Sequence, residues 1–358
     1  MVQRIKEITY LRAFAALSIV LIHTTSLYVN SGIVGAVANQ FPRYGSPIFV
    51  MISGFILYHI ELSRPSPAYA HFFKHRFLKV AIPYLIWTII YSTYSMRGQI
   101  LDLSSIDFVF VLKTYLLNIA MGTGYVHLYF VLIMIQLYAL FPLLKKCMER
   151  YTSTTLIFAL LISSTFQIVI YIHRLNIITL PSIGIAYATL FPGWLVFFCL
   201  GIYLKIRLKQ TVSFWQKRIL LCALIWISLM ALTMLEVQIS PVNITLRPTV
   251  SFYGVATFFL FYSIFGKLKN KIPQKADQII EWIANNSFFV YLVHPLILNL
   301  LVLSFKWEGY NGGFDLYAIT VILTCLFIFV YDKVKSLMKG PVNLGFKPVI
   351  GKNHADSL

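Results

Sequence analysis

Residues 10–23 read Tyr-Leu-Arg-Ala-Phe-Ala-Ala-Leu-Ser-Ile-Val-Leu-Ile-His, an apolar stretch with one guanidinium near its start and one imidazole at its end. Extended to 9–28, the run is long enough to cross about 30 Å of hydrocarbon as a helix. Arg12 and His23 are eleven positions apart, so at about 100° per residue they fall within roughly 20° of each other and about 16 Å apart along the axis. The two polar groups share one stripe. Ala15, Ala16 and Ile19 lie between them on it and Ser26 beyond, which keeps the middle of the stripe narrow. In a bilayer, ionisable groups placed this way face protein or water instead of lipid.

The rest of the chain continues in the same vein. Of 358 residues 59% are hydrophobic, 16% aromatic and 12% charged. A soluble fold cannot hide that much apolar surface, and a disordered chain does not carry so many aromatic rings. Further apolar runs fall at roughly 44–61, 79–95, 125–144, 155–172, 187–204, 219–236, 250–265, 283–303 and 316–332, which with the first make about ten spans. The expected fold is all-α: a polytopic membrane helical bundle in a single integral-membrane domain over 1–340, with a tail over 341–358. The stretch 106–120 is apolar but short, carries Asp107 and Lys113 and runs into Gly122-Thr-Gly124. It predicts an interfacial or re-entrant helix.

The formal charge of +18 would point to nucleic acid in a soluble protein. Position gives it another meaning here. Lys and Arg crowd one side of the bundle, from Arg4 and Lys6 through 64–79, 145–150, 205–218 and 267–275 to 333–352. The other side holds only Arg43, Arg97, Lys113, Arg174, Arg247 and Lys306. The positive-inside rule then places both termini in the cytoplasm. No nucleic acid partner is expected, and membrane lipid is the partner of the basic face.

The twelve acids all lie in loops or at helix ends, which argues against an ion-coupled carrier and against paired-carboxylate catalysis. Cys147, Cys199, Cys222 and Cys325 are isolated, so neither a disulfide nor a metal site is expected. His294 lies near the centre of its run, and Pro295 removes the backbone donor that would bond the Tyr291 carbonyl. Ser287 and Tyr291 share its face. Ser53-Gly54 reads as a close-packing pair, because no acid or histidine near it in sequence marks an activated nucleophile.

Five segments carry a family resemblance. They are Arg12 and His23 separated by ten residues; Ser46 to Phe55 with Ser53-Gly54-Phe55; Phe73-Lys74-His75-Arg76-Phe-Leu-Lys79 running into Ile82-Pro83; His127-Leu-Tyr129-Phe130; and Tyr291-Leu-Val-His294-Pro295. In this order they resemble the membrane acyltransferase 3 family over most of the chain. Lys79 stands where the family has a second arginine and Tyr129 where it has tryptophan. The first exchange keeps a cation but loses a planar fork.

The resemblance implies a membrane-bound O-acyltransferase. It would move an acyl group, most often acetyl, from cytoplasmic acyl-CoA to a hydroxyl of a cell-surface polysaccharide or lipid-linked glycan in a bacterium. No bound cofactor is expected; acyl-CoA is the donor substrate. Arg12, Arg76, Lys79 and Lys74, with Arg64, would hold its phosphates. His23 would be the general base and His294 a proton relay or charge stabiliser. Ser53, His127, Tyr129 and Tyr291 would contact substrate. The two catalytic rings should then lie within about 10 Å of each other, so that one reacting group reaches both. An alternative comes from similar motifs in the intercellular adhesin export protein of staphylococci, which makes polysaccharide export the second expectation. A third is a structural subunit of a glycan synthase complex.

Overall fold

A computed structural model describes residues 4–63, 69–98, 107–239, 246–305 and 313–337. Among them every regular element is a helix. Eight helices are long and apolar enough to cross a membrane: Lys6–Tyr28, Ile33–Leu62, Phe72–Ser95, Tyr129–Arg150, Thr152–Arg174, Ile219–Gln238, Pro248–Leu268 and Phe314–Leu337. A ninth crossing is available as the pair Gln274–Asn285 and Ser287–Leu303, bent by 77°. The bend follows from polarity. Gln274–Asn285 carries Asp277 and Glu281, which pair with Lys6 and Arg4 at the basic end of the bundle, so this segment cannot run on into hydrocarbon.

The run expected at 187–204 differs most from a simple span. It starts with two short 3-10 turns, Tyr187–Thr189 and Phe191–Trp194, and continues as the helix Leu195–Ile206. Pro192 at the start of the second turn has no amide to extend a longer helix backwards. This short helix packs backbone to backbone against Gly45–Leu62. A Cβ on Gly54 would sit 2.3 Å from the Phe198 carbonyl oxygen, and one on Gly201 would sit 2.0 Å from that of Met51. Gly54 is thus a close-approach residue, as its sequence context predicts. The stretch around 106–120 forms the short helix Phe108–Met121. It starts at Asp107, whose carboxylate accepts hydrogen bonds from Val109 N at 2.9 Å and Phe110 N at 3.1 Å, and ends at Gly122 in the left-handed region (φ 69°).

The first helix, Lys6–Thr25, is the centre of the bundle. It packs against Gly45–Leu62, Pro248–Leu268, Gln274–Asn285, Ser287–Phe305 and Phe314–Leu337. Its basic end is pinned by charge. Lys6 Nζ lies 2.5 Å from Asp277, whose other oxygen accepts from the Tyr10 hydroxyl at 2.6 Å, and Lys269 Nζ reaches Glu7 at 2.7 Å. Acids at this end therefore neutralise part of the lysine and arginine excess. Arg64 and the tail over 341–358 lie outside the described residues.

Gly201 and Gly98 give a direct test of the backbone contact, because a Cβ at Gly98 meets nothing within 4 Å. Gly201→Ala is expected to lower the thermal unfolding midpoint in detergent by an amount equivalent to about 1–3 kcal/mol or more, the usual penalty for overpacking. Gly98→Ala should leave the midpoint within error of the parent.

Candidate active site

The last turn of the first helix delivers His23, and two remote segments bring imidazoles to meet it. His127 sits in the tight turn before Tyr129–Arg150, where Leu128 N donates to Tyr125 O at 3.0 Å and Phe130 N to His127 O at 3.1 Å. His294 belongs to the helix Ser287–Phe305. Ring centroids are 5.2 Å apart for His23 and His294, 5.8 Å for His127 and His294, and 6.3 Å for His23 and His127. His127 and His294 are 1% and 0% exposed, whereas His23 is half-buried. A substrate can therefore reach His23 first.

Hydrogen bonds fix what the rings can offer. His294 Nδ1 donates to the Val290 carbonyl at 2.9 Å, which leaves the lone pair of the neutral ring on Nε2. That nitrogen is buried without a hydrogen-bond partner, as are both ring nitrogens of His127. The Tyr291 hydroxyl donates to the His127 carbonyl, and the two rings lie 5.0 Å apart, so the His127 turn is clamped to the His294 helix. Unmet polar atoms in an apolar interior are costly, and here they cluster beside the one accessible imidazole. Among the described residues no group of three His, Cys, Asp or Glu side chains is arranged to hold a metal ion.

Tyr91, in the helix Ile82–Ser95, completes the cluster through the backbone. Its hydroxyl accepts from Leu296 N at 3.1 Å and donates to Leu292 O at 2.7 Å. A regular helix would join those two backbone groups directly. The phenol bridges these two groups next to the hydrogen bond that Pro295 removes, and so ties the turn beside His294 to the helix Ile82–Ser95. Its ring stacks on Tyr125 at 4.6 Å and lies 5.1 Å from His127.

At the basic end the cations are brought together only in part. Arg12 is half-buried and lies within electrostatic range of Arg76 and Tyr138. The Arg76 guanidinium stands 5.5 Å from the Tyr138 ring and 5.8 Å from that of Phe72. Lys79 lies within electrostatic range of Arg76. Lys74 is exposed, and at about 200° around its helix from Arg76 it points away from this group. Ser53 is also displaced from its expected company. Gly45 packs on Ala15, Ser18 and Ile19, and eight residues later, about 12 Å further along a helix, Ser53 has left the level of the histidines. It makes no hydrogen bond to any of the three rings. Tyr129 lies within electrostatic range of Arg43 and of Tyr291.

Arg43 and Arg247 are the residues that sequence reasoning undervalued. Counted as sparse loop charges, they are in fact 5% and 0% exposed. Arg43 Nη2 donates to Asn39 Oδ1 at 2.7 Å, and Arg247 Nη2 donates to Gln40 Oε1 at 2.5 Å. The available signal was the polar pair Asn39-Gln40 at the end of an otherwise apolar stretch, Ile33–Gln40, three positions before Arg43.

Tyr91→Phe removes the inserted hydroxyl and keeps the ring. The variant should unfold at a lower temperature, by the equivalent of about 0.5–1.5 kcal/mol for each buried hydrogen bond lost. Hydrogen exchange should also speed up in peptides containing Leu296. Tyr94→Phe, which removes a hydroxyl without this role, should change neither reading.

Comparison with known proteins agrees with this architecture. An acyltransferase domain model, that of acyltransferase 3, matches residues 5–333. A Bacillus subtilis protein named as the membrane-bound acyltransferase YfiQ is 24% identical over 313 residues, covering 82% of this chain and 81% of the relative. A Staphylococcus aureus protein named as a poly-beta-1,6-N-acetyl-D-glucosamine export protein is 22% identical over 309 residues, covering 82% and 83%. No solved structure matches the chain. With the family model spanning nearly the whole length, and with the apolar helices that such a protein needs, this chain belongs to the acyltransferase 3 family of multi-pass bacterial membrane proteins.

Proposed function

We propose that the protein carries an acyl group, in the simplest case acetyl, from cytoplasmic acyl-CoA to a hydroxyl of a cell-surface glycan on the opposite side of the membrane. One observation carries this reading. A single helix joins Arg12, within electrostatic range of Arg76 at the basic end, to His23, beside His127 and His294 about 16 Å further along. The positive-inside rule assigns the basic end to the cytoplasm. Arg12 and Arg76, with Lys79 nearby, would hold the phosphates of the donor through charge-assisted hydrogen bonds. The thioester arm would pass from there toward His23 beside the first helix, whose stripe of Ala15, Ala16 and Ile19 is itself buried, with Gly45 packed on Ala15 and Ile19.

At the far end His23 acts as general base. It takes the proton from the acceptor hydroxyl as that oxygen attacks the thioester carbonyl. The carbon–sulfur bond breaks, the departing thiolate takes the proton back from His23, and the products are an ester and free CoA thiol. The His294 ring, its centroid 5.2 Å from that of His23 and its Nε2 lone pair free, supports the charge that develops on His23.

Polysaccharide export is the second reading, and the names of the staphylococcal relatives favour it. The two readings differ over what the imidazoles do. Purified protein in lipid vesicles, given labelled acetyl-CoA and glycan acceptor, should transfer label. His23→Ala should keep expression and membrane insertion while transfer falls by about 100-fold to 10,000-fold, the range for loss of a general base. Normal acylation by that variant would remove the enzymatic reading, and export that survives the substitution would favour the second.

A further inference from the structure

Deepening the acyl-transfer reading and resting on it, the geometry points to an acidic acceptor: a glycan bearing an oxyanion, phosphate or carboxylate, that is bound at Arg247 and its partners on the His23 side of the bundle. Arg247 is wholly buried. A guanidinium has five N–H donors, and here only Nη2 is engaged, by Gln40 Oε1 at 2.5 Å. Nε and Nη1 have no hydrogen bond. The carboxylate of Glu236 forms an ion pair with Nη1 at 3.8 Å, too long for a hydrogen bond, and also accepts from the Thr249 hydroxyl. Glu236 supplies charge but no hydrogen bond, and the two buried donors left over are the kind that an oxyanion accepting in bidentate fashion would meet.

This cation is wired to the reacting end. Gln40 Nε2 donates to Asn39 Oδ1 at 3.3 Å, and Asn39 Nδ2 donates to the Ile22 carbonyl at 2.9 Å. Ile22 is the residue before His23. Arg43, bonded to the same Asn39 oxygen at 2.7 Å, lies within electrostatic range of His23. An acid group held at Arg247 would therefore anchor a sugar whose hydroxyl is presented to the imidazole. It would also place that sugar at the opposite end of the first helix from the donor's phosphates.

Thermal unfolding of the full chain in a nonionic detergent tests this without any acyl donor. Inorganic phosphate, glucuronate and glucose are titrated separately at ionic strength held constant with sodium chloride. Phosphate or glucuronate should raise the unfolding midpoint saturably, and glucose should not. Arg247→Gln should raise the half-saturating concentration at least about tenfold, the effect of losing one charge-assisted contact. Arg247→Lys keeps the charge without the planar donors, and it should weaken binding in the same direction if the glutamine variant fails to fold. A phosphate response alone assigns a phosphate substituent, and a glucuronate response alone a carboxylate. The inference is overturned if neither anion moves the wild-type midpoint more than glucose does. It is also overturned if the shift survives Arg247→Gln undiminished, since the anion then sits at Arg12 and Arg76. Either failure leaves donor transfer to be decided by the His23 variant.

Discussion

A polar group inside hydrocarbon must be met by protein, water or substrate, and that requirement organises this molecule around its first helix. Arg12 and His23 lie on one stripe of a segment whose intervening residues are Ala, Phe, Leu, Ile and Val with the single hydroxyl of Ser18. Exposed to lipid, each would cost several kcal/mol. Enclosing the helix with five others gives each group a protein environment and fixes their spacing at the same time. The ion pairs Lys6–Asp277 and Glu7–Lys269, with the hydrogen bond from Tyr10 to Asp277, then set how deep the helix sits. Everything at the far end depends on that register, because a helix displaced by one turn would move His23 by about 5.4 Å.

The far end is built with the same economy of means. Pro295 removes one backbone donor from the His294 helix, and in the next turn the Tyr91 hydroxyl bonds both Leu292 O and Leu296 N. Tyr291 answers from the other side by bonding the His127 carbonyl. Two tyrosines thus convert a defect in one helix into a rigid seat for two imidazoles. Rigid placement of this kind is what lets a weak base act on a substrate without reorganisation. At the other flank Asn39 and Gln40 do for Arg43 and Arg247 what the tyrosines do for the histidines.

Much of this was legible in residue order because membrane insertion leaves a long, unambiguous trace. Helices that must satisfy their own backbone appear as apolar runs, and the stripe shared by Arg12 and His23 follows from helical periodicity alone. The close packing that Ser53-Gly54 predicts is met at Gly54, which approaches the backbone of Phe198. What could not be read were contacts between distant positions. Tyr91 and Leu292 are 201 residues apart, and Gln40 and Arg247 are 207 apart. Nothing in the spacing of His127 relative to His23 marks the two rings as neighbours. Counting Arg43 and Arg247 as topology charges hid their burial, because the positive-inside rule weighs where a cation falls in order and not what encloses it. The bend before Ser287 was likewise invisible as a break in hydropathy, and it came instead from the ion pairs that hold Gln274–Asn285 at the basic end.

The central claim is that two substrates approach one imidazole cluster from opposite faces of the membrane. Vesicles with the protein inserted in one known orientation test it most directly, with labelled acetyl-CoA supplied on one face only and acceptor glycan confined to the other. The account predicts labelled acceptor when the donor is on the face bearing Lys6 and Lys269, and none when donor and acceptor are exchanged. Transfer that requires both substrates on the same face would contradict it.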